Sequence, residues 1–241
     1  MEARIKFCHI SPAAHILHAA AHSSCHMALQ HLVGDNLYTK RFKQLSHEGE
    51  YIYLDNSQFE LGRPCSIDEL IKAGHIINAS CLILPDGDMS EEDCKIIHAN
   101  GFEVMVIPEG PALDELFIDA LSRPYIDKVG LSYSKTSQYL GHHRHSATSR
   151  YDFLTGLGTI LPIKKIHMLG AVVPGEIGLM RPFRDAIFSW DTSLAIWAGL
   201  NDEKIENFTH KNSNEVNFNS DLQWNQTCDS NIAYINKLLD L

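Results

Sequence analysis

Short apolar, β-prone runs alternate along the chain with longer stretches whose apolar residues recur at helical spacing. That alternation is the signature of repeated strand–helix units folding onto a parallel sheet. The runs are Arg4–Ile10, Tyr51–Asp55, Cys81–Pro85, Glu103–Ile107, Lys128–Ser132, Ile166–Ala171 and Ala186–Asp191, with a weaker eighth at Glu215–Phe218 after a polar stretch. Two of the intervening helices declare their ends. Ser66–Ala73 opens on a serine cap, and Ser90–Asn100 carries Glu91 and Glu92 in its first turn and Gly101 just past its last, each residue type suiting the helix end it occupies. Eight strands close as an α/β (β/α)8 TIM barrel, whereas six or seven equally form an open doubly wound sheet. No glycine-rich phosphate loop follows any strand, which weighs against the dinucleotide-binding open sheet. The expectation is one barrel domain over residues 1–241.

Composition narrows this only slightly. A chain of 241 residues, 44% of them hydrophobic, fits one large core. The formal charge of −10 predicts no affinity for nucleic acid. No apolar run reaches the ~18 residues of a membrane span, and the N-terminus lacks the apolar centre of a secretory signal. A cytoplasmic location follows as an expectation. The six cysteines, at positions 8, 25, 65, 81, 94 and 228, form no C-x-x-C pair, so neither a disulfide framework nor a cysteine-rich zinc site is expected. His15, His18 and His22 fall at helical spacing with Cys25 and His26 following. They read either as metal ligands or, the reading preferred, as a histidine-rich helix face. His142, His143, Arg144 and His145, with Lys135, Arg150, Lys164 and Lys165, make one locally basic region, the single hint of a phosphate-facing surface.

Function in such folds concentrates where strands end and loops begin. There the sequence is acidic: Asp55-Asn56 follows the second run, Asp86 the third, Glu109-Gly110 the fourth and Asp191 the seventh. Each acid alone reads equally as a cap or turn residue. Together, in a closed barrel, the four meet at one mouth. Two carboxylates facing a sugar carbon suit glycosidic chemistry, one attacking the anomeric carbon and one moving a proton on the leaving group.

The series of strand ends resembles the tRNA-guanine transglycosylase superfamily in order and content, over roughly Tyr51 to Gly199. The family's D-S-G-G-F-Q motif is similar to DNSQFE, which retains Asp55 and Phe59 and places Asn56 and Glu60 beside them. Its base-reading aspartate corresponds to Asp86 and its glutamine-glycine element to Glu109-Gly110, a departure in the acid. Its G-G-L-S/A-V-G-E loop resembles VGLSYS, with Gly130 and Leu131, and its L-M-G-V-G segment resembles Met168-Leu169-Gly170. Its nucleophile falls on Asp191 in FSWDTS.

The resemblance implies a base-exchange transglycosylase without cofactor, Asp191 being the nucleophile, Asp55 the general acid/base, and the remaining positions base-binding. The family's zinc subdomain, with C-x-C-x-x-C after the nucleophile, has no counterpart here, so no metal is expected. The pattern is then nearest the zinc-less phage and bacterial branch that inserts 7-deazaguanine derivatives into DNA. Its expected partners are DNA and a free 7-deazaguanine base. Transfer to tRNA, a barrel glycoside or nucleoside hydrolase using the same carboxylates, and a non-catalytic binding barrel remain as alternatives.

Overall fold

The computed structural model describes residues 5–139, 146–162, 165–171, 173–208 and 220–240. Its strands are β1 (Lys6–His9), β2 (Cys25–Leu29), β3 (Tyr51–Asp55), β4 (Cys81–Ile83), β5 (Glu103–Val106), β6 (Lys128–Ser132), β7 (Ile166–Leu169) and β8 (Ile187–Thr192). They form one eight-stranded sheet ordered β1-β8-β7-β6-β5-β4-β3-β2, and every paired neighbour is parallel. The sheet curls into the expected barrel, with β1 and β2 at its two ends lying side by side without a ladder. The described α-helices are α1 (Ile16–Ala20), α2 (Asn36–His47), α3 (Gln58–Leu61), α4 (Ile67–Ile77), α5 (Glu91–Ala99), α6 (Leu113–Ser122), α7 (Tyr133–Tyr139), α8 (Ser146–Leu157), α9 (Pro174–Leu179), α10 (Leu194–Leu200) and α11 (Gln226–Asp240).

Side-chain alternation along the strands divides the apolar residues between two cores. Cys8, Cys25, Met27, Tyr53, Cys81, Ile83, Met105 and Ile107 pack together inside the barrel. Their neighbours in sequence, such as Phe7, Ile52, Leu54, Leu82, Val104 and Val106, belong to the larger core shared with the helices. The lower end is closed by polar residues on the inward positions of the strand starts. Tyr51 donates to Glu103 at 2.5 Å, Lys128 bridges to the same carboxylate at 3.2 Å, and Lys6 and Lys128 lie over the Phe188 ring. Charge and aromatic faces thus plug the bottom.

The helix ends follow the local chemistry of the sequence. Ser66 and Glu69 make a reciprocal capping box on α4, and Asn78 closes that helix in the left-handed region. Ser90 caps α5 by accepting from the Asp93 N–H, and Gly101, at φ 86°, supplies the left-handed turn after it.

One strand differs from expectation. The Glu215–Phe218 run lies outside the described residues, and the strand that completes the barrel is β2, in the segment read as a histidine-rich helix face. Only Ile16–Ala20 of that stretch is α-helical. All five residues of β2 are buried, so no polar alternation marks it as a strand. Among the described residues, no helix is long and apolar enough to cross a membrane.

Candidate active site

The C-terminal rim gathers the strand-end acids. Asp55 ends β3, and the loop after it is built almost wholly from side-chain bonds to backbone. Ser57 takes a left-handed conformation, φ 61°, rare and costly for a residue with a Cβ. Its N–H donates to Asp55 Oδ1 at 2.6 Å, and its hydroxyl accepts from His31 N. Asn56 is buried, donating to the carbonyls of Ile83 and Leu84 and accepting from Gln58 N. Gln58 in turn accepts from Asp86 N. The loop therefore laces the ends of β2, β3 and β4 together and holds Asp55 at the rim.

Burial there pushes the Asp55 carboxyl up to about 7, with the charges of Glu60, Asp191 and Asp86 adding to the rise against the Ser57 bond. Glu60 and Asp86 are raised as well, each by burial first, then by Asp191 and by Glu109 respectively. Glu109 moves the other way. Burial would raise it, but hydrogen bonds from Lys135 at 2.5 Å and Tyr139 at 2.8 Å prevail and hold it below the ordinary value. Four acids thus share the rim with Asp55, and one is neutralised locally by a lysine.

Across the rim, Asp191 sits on β8 with its side chain 8% exposed. His167 Nε2 and the Gly170 N–H both lie 3.0 Å from Oδ1. His167 is fully buried, and its Nδ1 lies 2.7 Å from Ser189 Oγ, which is 2.8 Å from Tyr53 OH. Sequence reasoning missed this trio, taking strand interiors for packing. A signal was present: Tyr53 precedes Asp55 by two residues and Ser189 precedes Asp191 by two, so strand periodicity sets each on the inner face beneath its acid.

Behind the rim, Arg150 of α8 is fully buried against Glu176. It donates to the carbonyls of Leu131, Leu169 and Gly170 and so clamps the ends of β6 and β7. It is not part of a basic surface, and Lys135 is engaged with Glu109. Arg144, Lys164 and the histidines 142, 143 and 145 lie outside the described residues.

Several motif positions have packing roles of their own. Leu131 is buried in the outer core. A Cβ on Gly130 would come within 2.7 Å of Leu169 Cδ1 and 2.9 Å of Ile107 Cγ1, so the glycine lets these two side chains cross the barrel interior. Gly170, at φ 70°, turns the chain so that its N–H meets Asp191. Gly110 follows Glu109 beside Leu116. Phe59 is 92% exposed.

The N-terminal histidines do not converge on one point, although His15 and His18 both pack on Trp224 with their ring centroids 5.8 Å apart. His15 bonds the Leu222 carbonyl, His18 stacks on Trp224, Cys25 faces Cys8 inside the barrel and His26 lies beside Glu50. Among the described residues, no three His, Cys, Asp or Glu side chains come together as metal ligands.

No family model matches the chain, and no curated protein does. Solved structures do. Phosphoribosylanthranilate isomerase from Thermotoga maritima matches at a TM-score of 0.56 and 12% identity, over 99% of this chain and 100% of its own. The enzyme of the same name from Thermus thermophilus matches at 0.56 and 13%, over 98% and 99%. An HpcH/HpaI aldolase from Desulfitobacterium hafniense matches at 0.50 and 11%, over 86% and 93%. What they share with this chain is the barrel. These likenesses overturn the transglycosylase reading, and with it guanine exchange in DNA and the glycosyltransferase class, because the similar barrels are an isomerase and an aldolase. The physical reason lies in the topology. Acids at successive strand ends fall in chain order in any barrel of this polarity, so the order of motifs reports the fold, and Gly130, Leu131 and Asn56 have packing and loop-closing contacts of their own.

Proposed function

We propose that this barrel is an enzyme that moves a proton at a carbon next to a carbonyl, of the isomerase or lyase kind. The observation that carries the reading is the pairing at one rim of Asp55, whose pKa is raised to about 7, with Asp191, whose hydrogen bonds among the described residues all fall on Oδ1. A group that titrates near neutrality gives and takes protons with least loss at ordinary pH. In the step envisaged, Asp191 Oδ2 takes the proton from the carbon, and the C–H electron pair becomes a carbon–carbon double bond. The carbonyl oxygen takes the Asp55 proton, and reversal at the neighbouring carbon completes an isomerisation. The names of the similar barrels, isomerase and aldolase, lend support to the class and say nothing of this substrate.

The substrate this rim favours is neutral or amine-bearing. Barrels of this kind often seat phosphate on backbone N–H groups after the seventh and eighth strands. Here Gly170 N–H is spent on Asp191 Oδ1, Ala171 N–H on the Asp191 carbonyl and Leu194 N–H on Thr192 Oγ1. The acids Glu60, Asp86 and Asp191 repel an anion further. The test is solvent-deuterium exchange into a panel of ketoses, amino ketones and 2-oxo compounds, followed by NMR. Exchange in at least one class, lost at least about a hundredfold in Asp55→Asn, supports the reading. Wild-type exchange in that variant, or none with any class, refutes it.

A further inference from the structure

The trio beneath Asp191 has a fixed sense. Among the described residues, the one hydrogen-bond partner of the Tyr53 hydroxyl is Ser189 Oγ. Burial, first, and then the thiols of Cys25, Cys81 and Cys8 push Tyr53 well above the ordinary phenol range, so its proton stays on. That proton must point at Ser189. The Ser189 hydroxyl has one proton of its own, and its remaining partner is His167 Nδ1 at 2.7 Å. Nδ1 is therefore an acceptor, the ring proton resides on Nε2, and Nε2–H donates to Asp191 Oδ1 at 3.0 Å. Every donor in the chain Tyr53 → Ser189 → His167 → Asp191 has one acceptor, and the Gly170 N–H completes the pair on Oδ1.

We infer that His167 is a positioning residue for Asp191, its tautomer set from inside the barrel by Ser189 and Tyr53. The inference rests on the reading of Asp191 as the base of the rim. The chain cannot supply protons. Passing one outward leaves a phenolate among three thiols in an apolar interior, the costliest place for a charge in the molecule. What it does is mechanical: a ring fixed at both nitrogens, with Tyr53 packed on it at 4.8 Å between centroids, pins one carboxylate oxygen so that the other faces the mouth in one orientation. Preorganisation of this kind is what locates an acceptor to within a fraction of an ångström of a reacting atom.

The first arm of the test needs no substrate. In 15N-labelled protein near pH 7.5, long-range proton–nitrogen spectra, assigned through His167→Gln, should show one His167 proton, on Nε2, and a bare Nδ1. Asp191→Ala should leave that tautomer in place, because Ser189 and Tyr53 dictate it, whereas Asp191→Ala with Ser189→Ala should release it. A ring protonated on Nδ1 or on both nitrogens, or a tautomer lost in Asp191→Ala alone, overturns the inference. If Asp191→Ala does not fold, the wild-type spectrum decides.

The second arm uses the deuterium-exchange assay. His167→Leu removes the donor to Asp191 and should lower kcat roughly 10–100-fold with KM little changed. His167→Gln, whose amide can still donate from the Nε2 position, should recover most of that loss. Full activity in His167→Leu, or a Gln variant as poor as the Leu, overturns the positioning role. Absence of exchange with every compound defeats the catalytic reading of the rim, while the tautomer result still judges the relay.

Discussion

Asp55→Asn should stabilise the protein, and by an amount that depends on pH. Folding moves this carboxyl from 3.8 to about 7. A raised acid stabilises the folded state relative to its ionised form only while it holds its proton. That contribution is fully present below pH 3.8 and is lost as pH rises to about 7. At about 1.4 kcal/mol per pKa unit, the folded protein is disfavoured by up to ~4 kcal/mol above the folded value. The residue is half-buried, so roughly half of that, ~2 kcal/mol, is the expected effect. Asparagine keeps an acceptor for the Ser57 N–H and removes the charge that Glu60 and Asp191 oppose. For a chain of this length the gain corresponds to a Tm about 4–8 °C higher near pH 8, shrinking to less than half of that near pH 5. Calorimetric melts of both proteins at the two pH values and one ionic strength measure it. A difference that does not change with pH, or a variant less stable than wild type near pH 8, refutes the claim that Asp55 is held against its charge. A stability gain with activity lost is what a group kept for chemistry predicts.

Three further outcomes test the scaffold. A Cβ on Gly199 would lie 2.5 Å from Cys228 Cα and 2.7 Å from Cys228 N, so Gly199→Ala must part α10 from α11 and should cost more than about 3 kcal/mol in urea unfolding; a smaller loss means the two helices pack with slack. Arg150→Met strands Glu176 and three strand-end carbonyls, for which roughly 3–5 kcal/mol is expected, and adding Glu176→Leu should recover part of it; no recovery would assign the loss to the carbonyl bonds alone. Ser66→Ala breaks the capping box on α4 and should cost about 1 kcal/mol, and an unchanged midpoint would show that the Glu69 side chain caps unaided.

Seven of the eight strands and the acid-lined rim were legible in the sequence because the residues that make them are local signals. An apolar run that stops at Asp55, Asp86 or Asp191 states both where a strand ends and what stands there. β2 was not legible. CHMAL is buried on both faces and follows histidines at helical spacing, so periodicity pointed to the wrong element and only its pairing with β3, from Cys25↔Tyr51 to Leu29↔Asp55, identifies it. Arg150 was misread for a related reason. A basic residue in a basic stretch reads as surface, and nothing local shows that its partners are three carbonyls on two strands and a carboxylate 26 residues on.

The mistaken family resemblance has the same origin, and it separates two kinds of information in a barrel sequence. The fold demands a strand end about every 20–40 residues and a polar residue to turn the chain at each, so a list of strand-end acids in order is what the architecture produces whatever the reaction. The residues that set the two proposed catalytic acids apart lie one pleat deeper, where no turn requires them. A histidine, a serine and a tyrosine on inward positions of β7, β8 and β3 serve the barrel worse than the leucines or valines that would fill the same space, since each buries polar atoms that must find partners. Their hydrogen bonds close on one another and end on Asp191. Among the described residues, Asp55 has no such support from below, only the Ser57 N–H beside it and like charge around it. The two aspartates are therefore unlike in their surroundings, one pinned through a buried chain and one left poised near neutrality, and that division favours a base and an acid over two interchangeable carboxylates.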